Sequence, residues 1–376
     1  GVYIDVFEPA TGKVYGQVPD SDAQDLENAI EAASKAKNGW QQMPAEKRAD
    51  ILYAIALEIE NRAVELALAE SRDTGKPINL AKNVDIPRAA SNFKFFAQLS
   101  SQFASESHAM PHSAINYTLR QPLGIVACIS PWNLPLYLLT WKIAPALAAG
   151  NCVIAKPSEI TPVTAHLLAE ICIKAGLPQG VLNIVHGTGP RIGSALCEHP
   201  QIKAVSFTGG SATGATIARQ LAPKFKKLSL ELGGKNPALV FADCDLDKTV
   251  NELTRASFAN QGQICLCPSR IYVESGIYDK FKESFVEKVK SITPSDPSLD
   301  SCHYGAITSL QQKEKVLSYI KKAKNDNANI LAGGIDVTIH NRCNNGYFVQ
   351  PTIIEGLYTE TNSSRKGTNT SKLEIF

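Results

Sequence analysis

The sequence predicts an α/β protein: a parallel β-sheet covered on both faces by helices, followed by a second α/β domain. Two observations carry this. From Gly124 onward, short apolar β-rich runs alternate with helix-like segments, and several of those runs end in glycine-rich turns that open a helix. Size agrees, since 376 residues exceed one small core and suit two or three domains.

The first hundred residues read as helical. Over 44–74, Ile51, Ile55, Leu57, Ile59, Val64 and Leu68 recur at helical spacing, and Gly75 with Pro77 ends the pattern. Residues 124–129 form the first run of the alternation. A helix over 138–149 follows and ends at Gly150. Runs at 152–155, 181–185, 204–207 and 228–230 continue the sheet, with a helix over 162–175 closed by Gly176. A run at 238–241 continues the sheet as well, and after Asp243 the alternation repeats as a second α/β domain: helix 246–259, strand 271–273, helix 277–292. Residues 359–371, TETNSSRKGTNTS, read as a flexible loop or a non-native insertion. Residues 373–376 then turn apolar, as at the start of a strand. The expectation is a C-terminally incomplete chain that also lacks strands before Gly1.

Composition narrows the function. Hydrophobic residues make up 44% and charged residues 20%, with a net charge of +2. Acids and bases are mixed along the chain, which argues against a nucleic-acid or membrane-surface partner. The longest apolar run, 135–150, contains Lys142 and is too short to span a bilayer. Nine scattered cysteines, with Cys128, Cys152 and Cys172 inside apolar segments, point to a reducing compartment and a cytoplasmic location. The C-x-C of Cys265 and Cys267 has no partner pair elsewhere, so no metal is expected.

Five stretches carry chemistry. Gly187-Thr188-Gly189 to Gly193 follows a strand and precedes a helix; it serves either as a tight turn or as a cofactor contact. Gly209 to Gly214 has the spacing of a P-loop, but Ala215 stands where its lysine would be. What survives there is a helix N-terminus suited to a pyrophosphate. Ala155-Lys156-Pro157-Ser158-Glu159 closes a strand, as a solvated loop or a ribose-binding pair. Glu231 ends a strand that breaks into Gly233 and Gly234, a place for a general base or a cap. Cys265 lies in a polar turn after Gln261-Gly262-Gln263, where a thiol can be exposed and activated.

Taken in order, Ser130-Pro131-Trp132-Asn133-Leu134-Pro135, Lys156-Pro157-Ser158-Glu159, Phe207-Thr208-Gly209-Gly210, Glu231-Leu232-Gly233-Gly234-Lys235 and Gln261-Gly262-Gln263-Ile264-Cys265 resemble the aldehyde dehydrogenase motifs. The resemblance runs from about Phe7 to Ile354. It implies a doubly wound, Rossmann-like NAD-binding domain over 1–102 and 120–232, an oligomerisation arm over 103–119, and a catalytic domain over 233–376. It also implies a homodimer or homotetramer once the chain is completed. Cys265 would attack a small-molecule aldehyde as a thiolate. The Asn133 amide and the Cys265 N–H would stabilise the oxyanion. Glu231 would activate the water that hydrolyses the thioester. NAD would be the cofactor, held by Ile129, Ser130, Trp132, Lys156, Ser158, Glu159, Gly189, Gly193, Phe207, Thr208, Gly209, Gly210, Leu232 and Glu374. Glu159 would accept from ribose hydroxyls and repel a 2′-phosphate. The chain departs from the family at Gly210, where serine is frequent, and at Glu374-Ile375-Phe376, where the family's E-I-F-G-P stops short.

Three further segments narrow the resemblance: Asp85-Ile86-Pro87-Arg88 with Asn92-Phe93, Pro135-Leu136-Tyr137-Leu138-Leu139-Thr140-Trp141-Lys142, and Ile264-Cys265-Leu266-Cys267. They are similar to the 2-aminomuconic semialdehyde dehydrogenase branch of the family. That implies oxidation of 2-aminomuconate 6-semialdehyde in tryptophan (kynurenine) breakdown, with Arg88 on the substrate carboxylate. Arg88 read structurally would instead cap a helix or pair with Asp85. Retinal and other semialdehydes, including hydroxymuconic ones, remain alternative substrates. An inactive chain with a scaffold role and a cysteine hydrolase are alternatives from other classes.

Overall fold

In the computed structural model of the chain, which describes residues 1–356 and 370–375, the five apolar runs between 124 and 232 become one parallel sheet. Its strands are β5 (Ile125–Ile129), β6 (Cys152–Lys156), β7 (Leu182–Ile184), β8 (Ile202–Gly209) and β9 (Lys227–Leu232), in the order β7-β6-β5-β8-β9. Every residue of β5 and β6 is buried, so neither strand alternates; each reads as a continuous apolar run. The crossovers are α6 (Pro135–Ala148), α7 (Val163–Lys174), α8 (Ser194–Glu198) and α9 (Ser211–Leu221). From β5 the chain builds outward to β6 and β7, then returns to add β8 on the other side. The register aligns Ile129 with both Lys156 and Phe207. Three strand ends thus meet at the reversal of strand order, where doubly wound sheets bind ligands.

The N-terminal region departs from its all-helical reading. Two strands, β1 (Tyr3–Glu8) and β2 (Lys13–Pro19), form a two-stranded sheet before the helices begin. Helix α1 (Ala23–Gln42) starts at a capping box between Asp22 and Asp25. The single helix expected over 44–74 is two, α2 (Ala45–Asn61) and α3 (Ala63–Thr74). The break falls at Arg62, whose guanidinium is drawn to Glu65 at 2.7 Å and Glu170 at 2.9 Å. A short turn, α4 (Ile78–Leu80), leads through a π-helical segment, Ala81–Asp85, into α5 (Ile86–Ser100). After it, β3 (Ser107–Met110) and β4 (Ala114–Tyr117) pair as an antiparallel hairpin exposed at every residue.

The chain forms two compact units. The first holds Gly1–Val6, Gly16–Glu70 and Lys82–Leu232; the second holds Phe7–Tyr15, Ser71–Ala81 and Gly233–Phe376. Two segments that the sequence reading put in the first domain therefore belong to the second. Their backbone groups are satisfied there: Tyr347 N–H donates to Pro9 O at 2.9 Å, and Ala306 N–H donates to Gly75 O at 2.8 Å.

The second unit is built on a mixed sheet. Its strands are β10 (Asn236–Val240), β11 (Pro268–Glu274), β12 (Asn329–Ala332), β15 (Ile353–Glu355) and β16 (Thr370–Ile375), in the order β10-β11-β16-β15-β12. Among the described strands, β10–β11 is the parallel pair; β16 runs opposite to β11, β15 opposite to β16, and β12 opposite to β15. The sequence reading added β10 to the first sheet, but it pairs with β11 here. Helices α10 (Leu246–Phe258) and α11 (Tyr278–Lys290) cover it, burying Phe281, Phe285, Ile271, Val273, Ile353 and Leu373 in one core. Helix α12 (Leu310–Asn325), capped by Ser309, and a short pair, β13 (Asp336–Val337) with β14 (Phe348–Val349), complete the unit. Thr370 and Ser371, read from sequence as loop, lie in β16. Residues 359–369, the rest of that loop reading, lie outside the described residues, as does the side chain of Glu374.

Candidate active site

The strand ends of the first unit open into a cleft of about 710 Å³. Ile129, Ser130, Trp132, Lys156, Ser158, Glu159, Gly189, Gly193, Phe207, Thr208, Gly209 and Gly210 all line it. Leu232 does not; its side chain packs toward Gly214, where an added Cβ would meet Leu232 Cδ2 at 2.6 Å. Helix α9 enters the cleft with Gly210 as N-cap and no side chain capping it, which leaves its first N–H groups for an anion. A Cβ at Gly189 or Gly210 would touch nothing within 4 Å, so both glycines leave backbone open to a ligand. Gly209 is needed for another reason: a Cβ there would lie 2.5 Å from the Phe207 ring.

Lys156 is 3% exposed, and its Nζ donates to Pro157 O at 3.0 Å and to the Glu159 carboxylate at 3.2 Å. Burial holds its ammonium below the ordinary lysine range, opposed by Glu159. One wall is fixed by Asp20, which no motif singled out. Its carboxylate accepts from Thr188 N–H at 3.1 Å and from Arg191 Nη1 at 2.9 Å. Those bonds, the backbone one first, hold Asp20 below its usual pKa. They anchor the turn that leads into the π-helical Gly189–Gly193. These residues fit a dinucleotide: an uncapped helix N-terminus for pyrophosphate, and a lysine–glutamate pair for ribose hydroxyls.

Asn133 sits in the loop between β5 and α6, and Glu231 sits near the end of β9, opposite Thr208. Glu231 lines a second cleft of about 480 Å³ together with Lys142, Ser206, Trp141 and Phe96. Lys142 is buried and donates to Ser206 Oγ at 3.1 Å. Burial lowers its pKa, and the charges of Cys128 and Glu231 oppose that shift. Arg88 is exposed on α5, and its guanidinium lies over the Tyr137 ring rather than on Asp85, which is buried.

Cys265 belongs to the second unit and is exposed. It follows three consecutive residues in the left-handed region: Asn260 (φ 49°), Gln261 (φ 57°) and Gly262 (φ 72°). Two of these are not glycine, and such conformations persist only where the surroundings impose them. The Gln261 amide supplies that restraint, donating to Gly75 O at 3.0 Å and Ala306 O at 2.6 Å. Gln263 is held by Thr308 N–H at 3.2 Å and donates to Asn260 O at 3.2 Å. Beyond them a turn closes from Cys267 N–H to Ile264 O, and Asn236 Nδ2 donates to Cys265 O at 2.5 Å. Its neighbour Cys267 is a poor nucleophile, because burial pushes its thiol up to about 11.

The sequence profile of the aldehyde dehydrogenase family matches residues 2–367. The chain belongs to the aldehyde dehydrogenase family. Among aldehyde dehydrogenases it is 51% identical to the 2-aminomuconic semialdehyde dehydrogenase of Bos taurus, over 96% of this chain and 74% of that protein. It is 45% identical to the 2-hydroxymuconic semialdehyde dehydrogenase of Pseudomonas sp. (strain CF600), over 93% of this chain and 73% of that one. The fold superposes on PnpE in complex with nicotinamide adenine dinucleotide with a TM-score of 0.92 at 38% identity, covering 95% of this chain and 73% of that one. The NAD+ complex of the Bacillus cereus aldehyde dehydrogenase gives 0.91 at 33% identity, covering 95% and 72%. The chain thus spans about three quarters of the length of these aldehyde dehydrogenases. Among the described residues, no helix is long and apolar enough to cross a membrane.

Proposed function

We propose that the chain oxidises a carboxylate-bearing semialdehyde of the 2-aminomuconate 6-semialdehyde type to the carboxylic acid, with NAD as hydride acceptor. The observation that carries the cofactor assignment is the single cleft lined by twelve of the motif residues at an uncapped helix N-terminus. Relatives with the same fold are solved with that dinucleotide. Glu159 at the ribose end favours NAD over NADP, because a carboxylate repels a 2′-phosphate. The bound dinucleotide supplies the site that accepts the hydride.

The chain's own residues do the rest. The Cys265 thiolate adds to the aldehyde carbon to give a thiohemiacetal, which becomes a thioester once hydride has left that carbon. The Asn133 amide and the Cys265 N–H bear the oxyanion charge. Glu231 takes the proton of the water that hydrolyses the thioester, restoring the thiol and releasing the acid. Lys142, buried on the same unit, lines the Glu231 cleft and is held by Ser206. Arg88 receives the substrate's distal carboxylate in its planar fork. The names of the muconic relatives and the exposed guanidinium of Arg88 support that choice over retinal, which has no carboxylate. The exposed hairpin β3–β4, with Met110, Ile115 and Tyr117 each more than half exposed, serves as the arm of a homodimer or homotetramer. Nine free cysteines suit a cytoplasmic setting.

The test is NADH formation from 2-aminomuconate 6-semialdehyde and from retinal, with Cys265→Ala and Glu231→Gln beside the native chain. The expected result is preference for the semialdehyde, no turnover by Cys265→Ala, and a trapped thioester in Glu231→Gln. Turnover by Cys265→Ala would overturn the mechanism, and preference for retinal would overturn the substrate.

A further inference from the structure

Arg88 is not a loose surface arginine. It forms one end of a ladder between α5 and α6. Arg88, Asn92 and Phe96 recur at i, i+4 and i+8, so they share one face of α5. Each rung meets α6. At the top, the Arg88 guanidinium carbon lies 5.1 Å from the centre of the Tyr137 ring, and Nη1 is 3.5 Å from the Tyr137 hydroxyl. In the middle, the buried Asn92 amide donates to Tyr137 O at 3.1 Å and to Thr140 Oγ1 at 2.9 Å. At the bottom, the Phe96 ring meets Trp141 edge-on at 6.3 Å, and Trp141 in turn packs at 6.1 Å from Tyr137. Asn92 fixes the register of the two helices. Tyr137 is therefore held in place from below by its own backbone carbonyl and from the side by Trp141.

We propose that Tyr137 is the positioning residue for Arg88, and that it makes the site selective for carboxylate-bearing aldehydes. This rests on the reading that Arg88 receives the substrate carboxylate. An exposed arginine carries much rotamer freedom, and a carboxylate must freeze it. A ring under the guanidinium plane freezes it in advance, leaving the edge N–H groups directed outward. The 3.5 Å hydroxyl contact is long, so the ring face does most of the holding. A leucine at 137 would fill the helix position and leave the fork unrestrained.

The measurement is equilibrium binding by calorimetry, which needs no turnover. The probes are the muconate dianion and its dimethyl ester, which has the same conjugated skeleton without the charges. The native chain is expected to bind the dianion at least tenfold more tightly than the ester. Arg88→Ala should abolish that preference. Tyr137→Leu should reduce it by about threefold to tenfold with ester binding unchanged, and Tyr137→Phe should stay within about twofold of native. Tyr137→Met replaces leucine if leucine lowers the thermal midpoint. If Arg88→Ala loses the preference and Tyr137→Leu keeps it, the positioning role falls while the Arg88 reading stands. If Tyr137→Leu weakens dianion and ester alike, Tyr137 is only a wall and the proposal fails. If the native chain shows no preference, or Arg88→Ala retains it, the reading of Arg88 fails and takes this proposal with it.

Discussion

Replacing Gln261 by alanine tests whether its amide holds the Cys265 loop in shape. The Gln261 amide bridges Gly75 O and Ala306 O. In Gln261→Ala, Gly75 O keeps its bond from Ala306 N–H at 2.8 Å. Ala306 O loses the only donor it has among the described residues. One ordinary hydrogen bond, worth about 1 kcal/mol, is lost, and one buried carbonyl is orphaned at about 1–3 kcal/mol. Release of left-handed strain at Asn260 and Gln261 returns part of that, because such residues store about 1–3 kcal/mol each. The expected net loss is about 2 kcal/mol in urea unfolding at pH 7.5, with faster amide exchange over 259–267. Gln261→Glu should be worse at that pH, because a carboxylate would face two carbonyl oxygens. Its folded-state pKa would be raised, so its deficit should shrink as pH falls toward about 4.3, the ordinary glutamate value. A loss below about 0.5 kcal/mol in Gln261→Ala, with unchanged exchange, would refute the idea that this amide holds the loop.

Two further perturbations probe the cofactor-side unit. His186 has its pKa pushed down to about 4, by burial first and then by the charges of His166 and Lys156. The unfolded chain takes up that proton at about 6.5, so His186 contributes stability that is present above pH 6.5 and lost as pH falls toward 4. The native chain should lose about 3 kcal/mol from this group between pH 7.5 and 4, and His186→Gln should lack that increment; parallel pH profiles would count against it. At the cleft, Gly209→Ala should weaken NAD binding about tenfold in a fluorescence titration, because its Cβ would displace the Phe207 ring, 2.5 Å away. Gly210→Ala, whose Cβ meets no protein atom, separates the two effects: it weakens binding only if ligand fills that space.

The parallel sheet was readable because β5 and β6 are buried on both faces, and burial leaves an unbroken apolar signature. The cleft at the strand ends was readable because strand, glycine turn and helix start are contiguous in sequence. Where chemistry depends on distant partners, reading stopped. Strands β1 and β2 escaped notice because they form a largely exposed two-stranded pair, which leaves no buried apolar signature. The break between α2 and α3 was hidden because the apolar periodicity runs through Arg62, whose partner Glu170 lies 108 residues away.

The candidate site residues were named by the order of the sequence itself: Cys265, Glu231 and Asn133 by their motifs, and Lys156, Glu159 and the glycines by their strand ends. Tertiary structure alone decided what holds them. Asp20 clamps the Gly189 turn from 168 residues away, Lys142 reaches Ser206 across 64, and Gln261 ties its loop to Gly75 across 186. Tyr137 meets Arg88 where α5 packs on α6, one turn from the bond between Asn92 and Tyr137 O. A local motif specifies backbone shape through neighbouring residues. The restraint on a reactive side chain comes through space, from groups whose proximity exists only once the chain has folded.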